Sequence, residues 1–275
     1  MSRTVAEKRA AFRALHTSGC FMLPNPWDAG SARYLESLGF SAIATTSSGF
    51  AWSTGRADNH VTRDAVLDHL RMMAEATDLP VNADFENGFG DDPAGVADSV
   101  ALAVGTGIAG LSIEDSTGDP AAPLFPLDVA VQRLKAARRA IDECGGDTLL
   151  IGRAENFFVG APDLDDTIKR LRAYADAGAD CLYAPGIQTR GQIEAVVAAV
   201  APKPVNVLVG AASDFTQEEL AGLGVRRISV GGALARAAWG GFMQAAQVLA
   251  KGRFDGFAGA ASGKELNALF LGRAG

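Results

Sequence analysis

Cysteine is scarce: Cys20, Cys144 and Cys181 are an odd number at no metal-like spacing. They predict no disulfide framework and suit a reducing cytosol. Positive charge is also in deficit, with 25 Lys and Arg against 32 Asp and Glu and a net charge of −7. That argues against nucleic acid as the main partner and favours solubility. A negative chain still binds a small anion where a local cation reverses the field. No apolar run is long enough to cross a membrane, so none is expected as a partner. Residues 1–15 are charged and helix-like, without the apolar centre of a signal peptide. The expected location is the cytoplasm. No linker, low-complexity stretch or second domain interrupts the chain.

What is present is a regular alternation over 275 residues with 48% hydrophobic and 21% charged content, the profile of a globular enzyme. After an amphipathic helix over 4–17, strands are predicted at 20–25, 41–48, 80–86, 110–115, 148–155, 180–185, 203–209 and 226–230. Helices are predicted at 27–38, 63–77, 93–105, 127–143, 164–177, 190–200, 216–222 and 233–249, with loops at 50–62 and 116–127. Gly118, Pro120, Pro123 and Pro126 rule out a continuous helix in the second loop and give it the character of a mobile lid. Eight strand–helix units predict a single (β/α)8 TIM barrel over 1–275, since each parallel strand needs a crossover. A doubly wound open sheet is the competitor, but it rarely runs to eight such even units. The tail, 254–275, carries Leu266, Leu269, Phe270 and Leu271 at helical spacing and packs on its own barrel or on a neighbouring subunit.

A barrel pools the ends of its strands at one mouth. The densest chemistry lies in Val81-Asn-Ala-Asp-Phe-Glu-Asn-Gly-Phe-Gly90, where Asp84 and Glu86 would point the same way from a strand. Ile113-Glu114-Asp115 repeats the pattern of an apolar run ending in acid. Carboxylates at strand ends suit a hard divalent cation, Mg2+ or equally Mn2+, although any one of them alone reads as a solvated loop acid. Arg153 adds a cation opposite them and is either a bidentate receptor for a small carboxylate or a structural partner of Glu155 or Glu114. Trp27 and Asp28, Thr46-Ser47-Ser48, Glu155, Tyr183, Asn206 and Ser229 complete the pool. The hydroxyls of 46–48 either hold a carboxylate or simply end a strand, and Asn206 either meets a ligand or satisfies a buried partner. Asp58 and His60 lie in a loop near the mouth, where surface residues are the default. Cys181 reads as core. Gly231 and Gly232 at a helix start suit a phosphate or merely close packing.

These residues resemble the isocitrate lyase/phosphoenolpyruvate mutase superfamily. The resemblance runs from Leu23-Pro-Asn-Pro-Trp-Asp-Ala-Gly-Ser-Ala-Arg33 to the eighth strand. Asp84-Phe-Glu-Asn-Gly-Phe-Gly90 looks like the family's D-x-D-T-G-F-G, Ile113-Glu114-Asp115 like its second acidic strand, and Gly152-Arg153-Ala-Glu155 like its R-T-D strand. The resemblance implies a barrel enzyme that holds an α-keto or α-hydroxy acid on Mg2+ and passes through an enolate. It implies that Thr46, Ser47 and Ser48 hold the keto-acid carboxylate, that Asp84 holds the metal, and that Glu86 and Glu114 complete the metal's acidic shell. Asp58 would touch metal-bound waters, Arg153 the keto-acid oxygens, and Asn206 the far end of the substrate, with Trp27 and Tyr183 along it. Catalytic work would fall to Arg153, Asp58 and Glu155. It further implies a homotetramer that exchanges C-terminal helices between subunits.

One departure from the family is sharp. Where its lyases carry K-[KR]-C-G-H, with the cysteine as proton carrier, this chain has residues 116–125 with no Cys, Lys or His. Decarboxylation needs no base to begin and survives that loss; retro-aldol cleavage needs one. The expected activity is carbon–carbon cleavage of a small keto or hydroxy di- or tricarboxylate, oxaloacetate- or methylisocitrate-like. The alternatives are a phosphonopyruvate-type mutase or hydrolase, whose gating loops favour basic residues, and a keto-acid binder with little turnover.

Overall fold

The structure is a computed structural model and describes residues 2–271. Eight parallel strands, β1 (Phe21–Leu23), β2 (Ile43–Ala44), β3 (Val81–Asp84), β4 (Gly110–Glu114), β5 (Leu149–Arg153), β6 (Cys181–Tyr183), β7 (Val205–Leu208) and β8 (Arg227–Ser229), run in the order β1-β8-β7-β6-β5-β4-β3-β2. The ends of that order meet through one backbone bond, Ala44 N–H to the Pro24 carbonyl at 3.0 Å. Asn25 ties that seam through its Nδ2, which donates to the Thr45 carbonyl at 2.8 Å, while its Oδ1 accepts from Val230 and Gly231 N–H at 2.9 Å just past β8 on the other side of β1. The architecture is the (β/α)8 barrel that the alternation predicts.

Helices α1 (Val5–Leu15), α2 (Ala29–Ser37), α4 (Arg63–Ala76), α5 (Pro93–Val104), α6 (Leu127–Glu143), α7 (Leu164–Asp176), α8 (Arg190–Val200), α9 (Gln217–Gly222) and α10 (Ala233–Leu249) occupy the predicted positions. Most start on a side chain that satisfies orphan N–H groups: Thr4, Asp28, Thr62, Asp92, Asp163, Thr189 and Thr216. Each such cap is worth about 1 kcal/mol. The predicted loop at 50–62 is wrong in its first part. Residues Ser47–Ser53 form a short helix, α3, capped by Thr46, and β2 is only two residues long. The capping hydroxyl turns the chain as soon as it leaves the barrel, which the run of small polar residues conceals in a strand reading.

The barrel has two cores. The larger lies between sheet and helices and includes Leu70, Met73, Val100, Leu111, Ile141 and Leu171. The smaller fills the barrel interior around Phe21, Leu23, Leu149, Ile151 and Cys181, and Phe12 of α1 closes its floor. Cys181 is therefore core, as expected. Above that plug the interior turns polar, and there the site begins. Beyond α10 a 3-10 turn (Asp255–Phe257) leads to α11 (Gly263–Leu271), which lies against α2 near Gly30. Residues 272–275 of the expected tail fall outside the described residues.

Candidate active site

A cavity of ≈ 520 Å3 opens at the carboxyl ends of the strands. Its wall includes Thr46, Ser47, Ser48, Asp58, Asp84, Arg153 and Tyr183, the end of the barrel at which the fold places catalysis.

Asp84 and Arg153 are its centre. Arg153 Nη1 lies 3.0 Å from Asp84 Oδ1 and 3.2 Å from Glu114 Oε2, while Nε and Nη2 engage both oxygens of Glu155. Asp84 Oδ2 accepts the Ser47 N–H at 3.0 Å, and the Asp84 N–H donates to Thr45 Oγ1 at 2.9 Å. Burial alone would push the guanidinium's pKa down, but Glu155, Glu114 and Asp84 hold it well above its usual value. The acids respond in the opposite sense. Burial raises Glu114 well above the carboxylate range against the pull of Arg153. Burial, Asp84 and Asp58 push Glu86 up to about 8. Asp58 is raised by burial and by Asp84, while a hydrogen bond to the Ser47 side chain pulls it back. Five carboxylates thus crowd one cation.

Local geometry explains the placements. Strand β3 ends at Asp84, so Glu86 is not aimed by strand alternation as expected. It sits at φ 47° in a left-handed turn that brings it beside Asp84, where both line a cavity of ≈ 10 Å3. Gly90 must be glycine, since a Cβ there would fall 2.3 Å from Val96 N. Arg133 Nη2 pins the turn through the Asn87 and Gly90 carbonyls at 2.8 and 2.9 Å. Alternation does separate Glu114 from Asp115. Glu114 faces Arg153, whereas Asp115 turns outward to Tyr174 Oη at 2.5 Å and Arg170 Nη1 at 3.0 Å.

Other expected residues are placed unevenly. Glu155 is buried behind Arg153 and does not line the cavity; its N–H donates to Asp115 Oδ1 at 2.8 Å. Trp27 is off the cavity wall, and Trp52 of α3 is on it. Asn206 is fully buried, spent on Ser229 and Arg227, and also off the wall. His60 is exposed and hydrogen-bonds the Asp58 carbonyl. Segment 116–126 is a small hairpin bridged at Ser116–Leu124, and it does not line the cavity either. Sequence reasoning missed Trp52, Phe157, Phe158, Gln188 and Arg227, which do. It also missed the reach of Arg236, whose Nη2 donates to the Gly210 carbonyl at the rim. Phe157 and Phe158 follow the Arg153–Glu155 strand end directly, which was an available signal; Arg227 opens its strand and gave none.

The donor set is oxygen-rich, which suits a hard cation. Among the described residues no three His, Cys, Asp or Glu side chains converge enough to enclose a bare ion. Mg2+ keeps several waters, so one carboxylate at Asp84 with Asp58, Glu86 and Glu114 reaching through water fits it.

A sequence model for phosphoenolpyruvate phosphomutase matches residues 12–250. A crystal structure of a candidate lyase/mutase from Burkholderia cenocepacia J2315 is 50% identical, superposes with a TM-score of 0.94 and covers 97% of each chain. Oxaloacetate decarboxylase of Bradyrhizobium sp. (strain ORS 278) is 32% identical over 231 residues, 81% of this chain and 77% of that one. A phosphonopyruvate hydrolase in complex with oxalate and Mg2+ is 26% identical, with a TM-score of 0.84, and covers 99% of this chain and 96% of that one.

Proposed function

Because the chain belongs to the phosphoenolpyruvate phosphomutase family and is an enzyme of its superfamily, we propose that it is a Mg2+-dependent lyase. It cleaves a C–C bond of a small α-keto or α-hydroxy di- or tricarboxylate through an enolate. The observation that carries this reading is the Asp84–Arg153 pair at the strand ends, a fixed guanidinium beside an excess of carboxylates. Similarity to an oxaloacetate decarboxylase supports oxaloacetate as the first substrate to try.

The residues divide the work. Asp84, with Asp58, Glu86 and Glu114 through water, would hold the cation; Mn2+ meets the same oxygen requirement. The chemistry the cation supplies when bound is Lewis-acid stabilisation of charge on the keto oxygen, worth several kcal/mol. Arg153, locked in place by Glu155, presents its fork to the keto-acid oxygens. Thr46 and Ser48, whose hydroxyls lie 3.1 Å apart, face the carboxylate. Tyr183 and Trp52 wall the remainder. Hairpin 116–126 closes over the mouth and sheds water.

The second reading is phosphonopyruvate-type P–C cleavage or mutation, supported by similarity to a phosphonopyruvate hydrolase. Against it, the gating segment holds no basic residue for a phosphoryl group. We also place the enzyme in the cytoplasm as a homotetramer that exchanges its C-terminal helices. Phe242, Phe254 and Leu271 of that region are 62%, 70% and 72% exposed on the single chain, apolar side chains that such an exchange would cover. No helix among the described residues is long and apolar enough to cross a membrane.

An NMR time course with Mg2+ tests the activity against oxaloacetate, methylisocitrate, isocitrate, malate homologues and phosphonopyruvate, with Asp84→Ala and a chelated sample beside it. Pyruvate or glyoxylate appearing only with metal and intact Asp84 is the expected result. Phosphate release would transfer the chain to the second reading. Binding without turnover across the panel would sink the lyase.

A further inference from the structure

On the acidic side of the site, two polar side chains lack a hydrogen-bond partner, and both line one small cavity. The first is Glu86. Arg153 pairs with Asp84, Glu114 and Glu155, and Asp58 accepts the Asn59 N–H at 3.1 Å. Among the described residues nothing hydrogen-bonds or ion-pairs with the Glu86 carboxylate. Its backbone, by contrast, is fixed: the Glu86 carbonyl accepts Glu114 N–H at 3.0 Å, and Arg133 pins the turn that follows.

The second is His69 of α4. It is 4% exposed, its ring stacks on Phe50 with centroids 3.8 Å apart, and neither Nδ1 nor Nε2 has a partner. A buried polar atom left unmet costs about 1–3 kcal/mol. Burial, against the pull of Asp28, lowers the imidazole pKa to about 4, so the ring is neutral, with one N–H and one bare nitrogen.

Glu86 and His69 share the cavity of ≈ 10 Å3 that Asp84 also lines. Phe50, Val61 and Val66 supply its apolar wall, and Thr45, Thr46 and Ser47 complete the polar one. That volume is close to the room one water needs, and the lining offers the several polar partners a buried water takes.

We propose that His69 is a positioning residue for the metal site: across one buried water it holds the Glu86 carboxylate towards the cation's hydration shell. This rests on the Mg2+ reading above. The imidazole N–H donates to the water, and the water donates to the carboxylate. A helix outside the barrel thereby steadies an acid whose backbone is fixed but whose side chain is not. Groups in that place orient metal-binding acids and tune affinity.

The probe is Mg2+ alone, titrated by calorimetry into the full chain after chelation. His69→Phe keeps a ring on Phe50 and loses both nitrogens, so the Mg2+ dissociation constant should rise roughly tenfold. His69→Leu gives up the ring as well and should show the same loss of about tenfold, so the result does not hang on one variant. His69→Gln keeps a donor and an acceptor and should stay within about threefold of wild type. In a Glu86→Ala background, His69→Phe should change affinity by no more than about twofold, because its route to the cation is already gone. Wild-type affinity in His69→Phe or His69→Leu overturns the proposal, as does a full tenfold loss in the Glu86→Ala background. A Gln variant as weak as Phe overturns it too, leaving His69 a packing residue. Wild type that binds no Mg2+ removes the metal reading and this one together.

Discussion

Two arginines of the same barrel, Arg153 partly and Arg227 fully buried, stand under opposite conditions. Arg153 meets Asp84, Glu114 and Glu155, and its charge is over-compensated. Arg227 meets neutral oxygens on Asn206 and Asn82 and the His16 ring; burial lowers its pKa, and only the thiol of Cys181 and the phenol of Tyr183 oppose that. The first is clamped by ion pairs, as a residue that must present a rigid fork should be. Among the described residues the second meets no carboxylate, and its donors are spent on neutral partners. A charged clamp and a neutral one thus stand on the wall of one cavity.

The largest expected effect breaks the crowded side. Asp84→Asn keeps the shape and removes the charge that anchors the cation, so turnover should fall on the order of 10³-fold or more in the NMR assay. A fall of less than tenfold would mean that Asp84 is not the anchor. Next in size is stability. Arg153→Met strands three buried acids and should cost about 3–5 kcal/mol in urea unfolding at pH 8. The loss should shrink towards pH 5, as Glu114 and Glu155, already raised by burial, take up protons. Arg227→Met strands no charge and should cost no more than about 2 kcal/mol, from the unpaired Asn206 oxygen. Equal losses at the two positions would abolish the contrast.

A smaller effect follows from Glu86. Its folded pKa, about 8, stands above the unfolded carboxylate value, so between those limits the folded state binds more protons than the unfolded one. Stability of the chelated protein therefore falls as pH rises from 5 to 8. Glu86→Gln should flatten that slope in thermal melts taken across the range, and an unchanged slope would remove Glu86 as its source.

The barrel was legible because its signals are local and repeated: apolar runs, helix stops and a fixed alternation of strand and helix. The acidic corner was legible for the same reason, since Asp84, Glu86 and Glu114 each end an apolar segment. Sequence spacing misled where it was extended through a turn. Asp84 and Glu86 were read as neighbours on one strand, but β3 stops at Asp84, and the left-handed backbone at Glu86 makes the encounter. At Asn206 and Glu155 spacing left two alternatives open, and the structure shows the buried partner: their side chains bond Arg227 and Arg153 and do not line the cavity. Those pairings join residues distant in sequence or on the far side of a strand end, and no single-strand pattern encodes them. Trp52 escaped because it belongs to α3, a helix hidden in small polar residues.

The seam at Asn25 has a mechanical consequence. Seven strand pairs are stitched by ladders, whereas the eighth closes through one backbone bond and one amide side chain. A barrel joined that way parts like a cuff at its clasp. Among the strand amides, the earliest exchange should appear at Ala44, whose N–H spans the seam, rather than along the β4–β5 ladder.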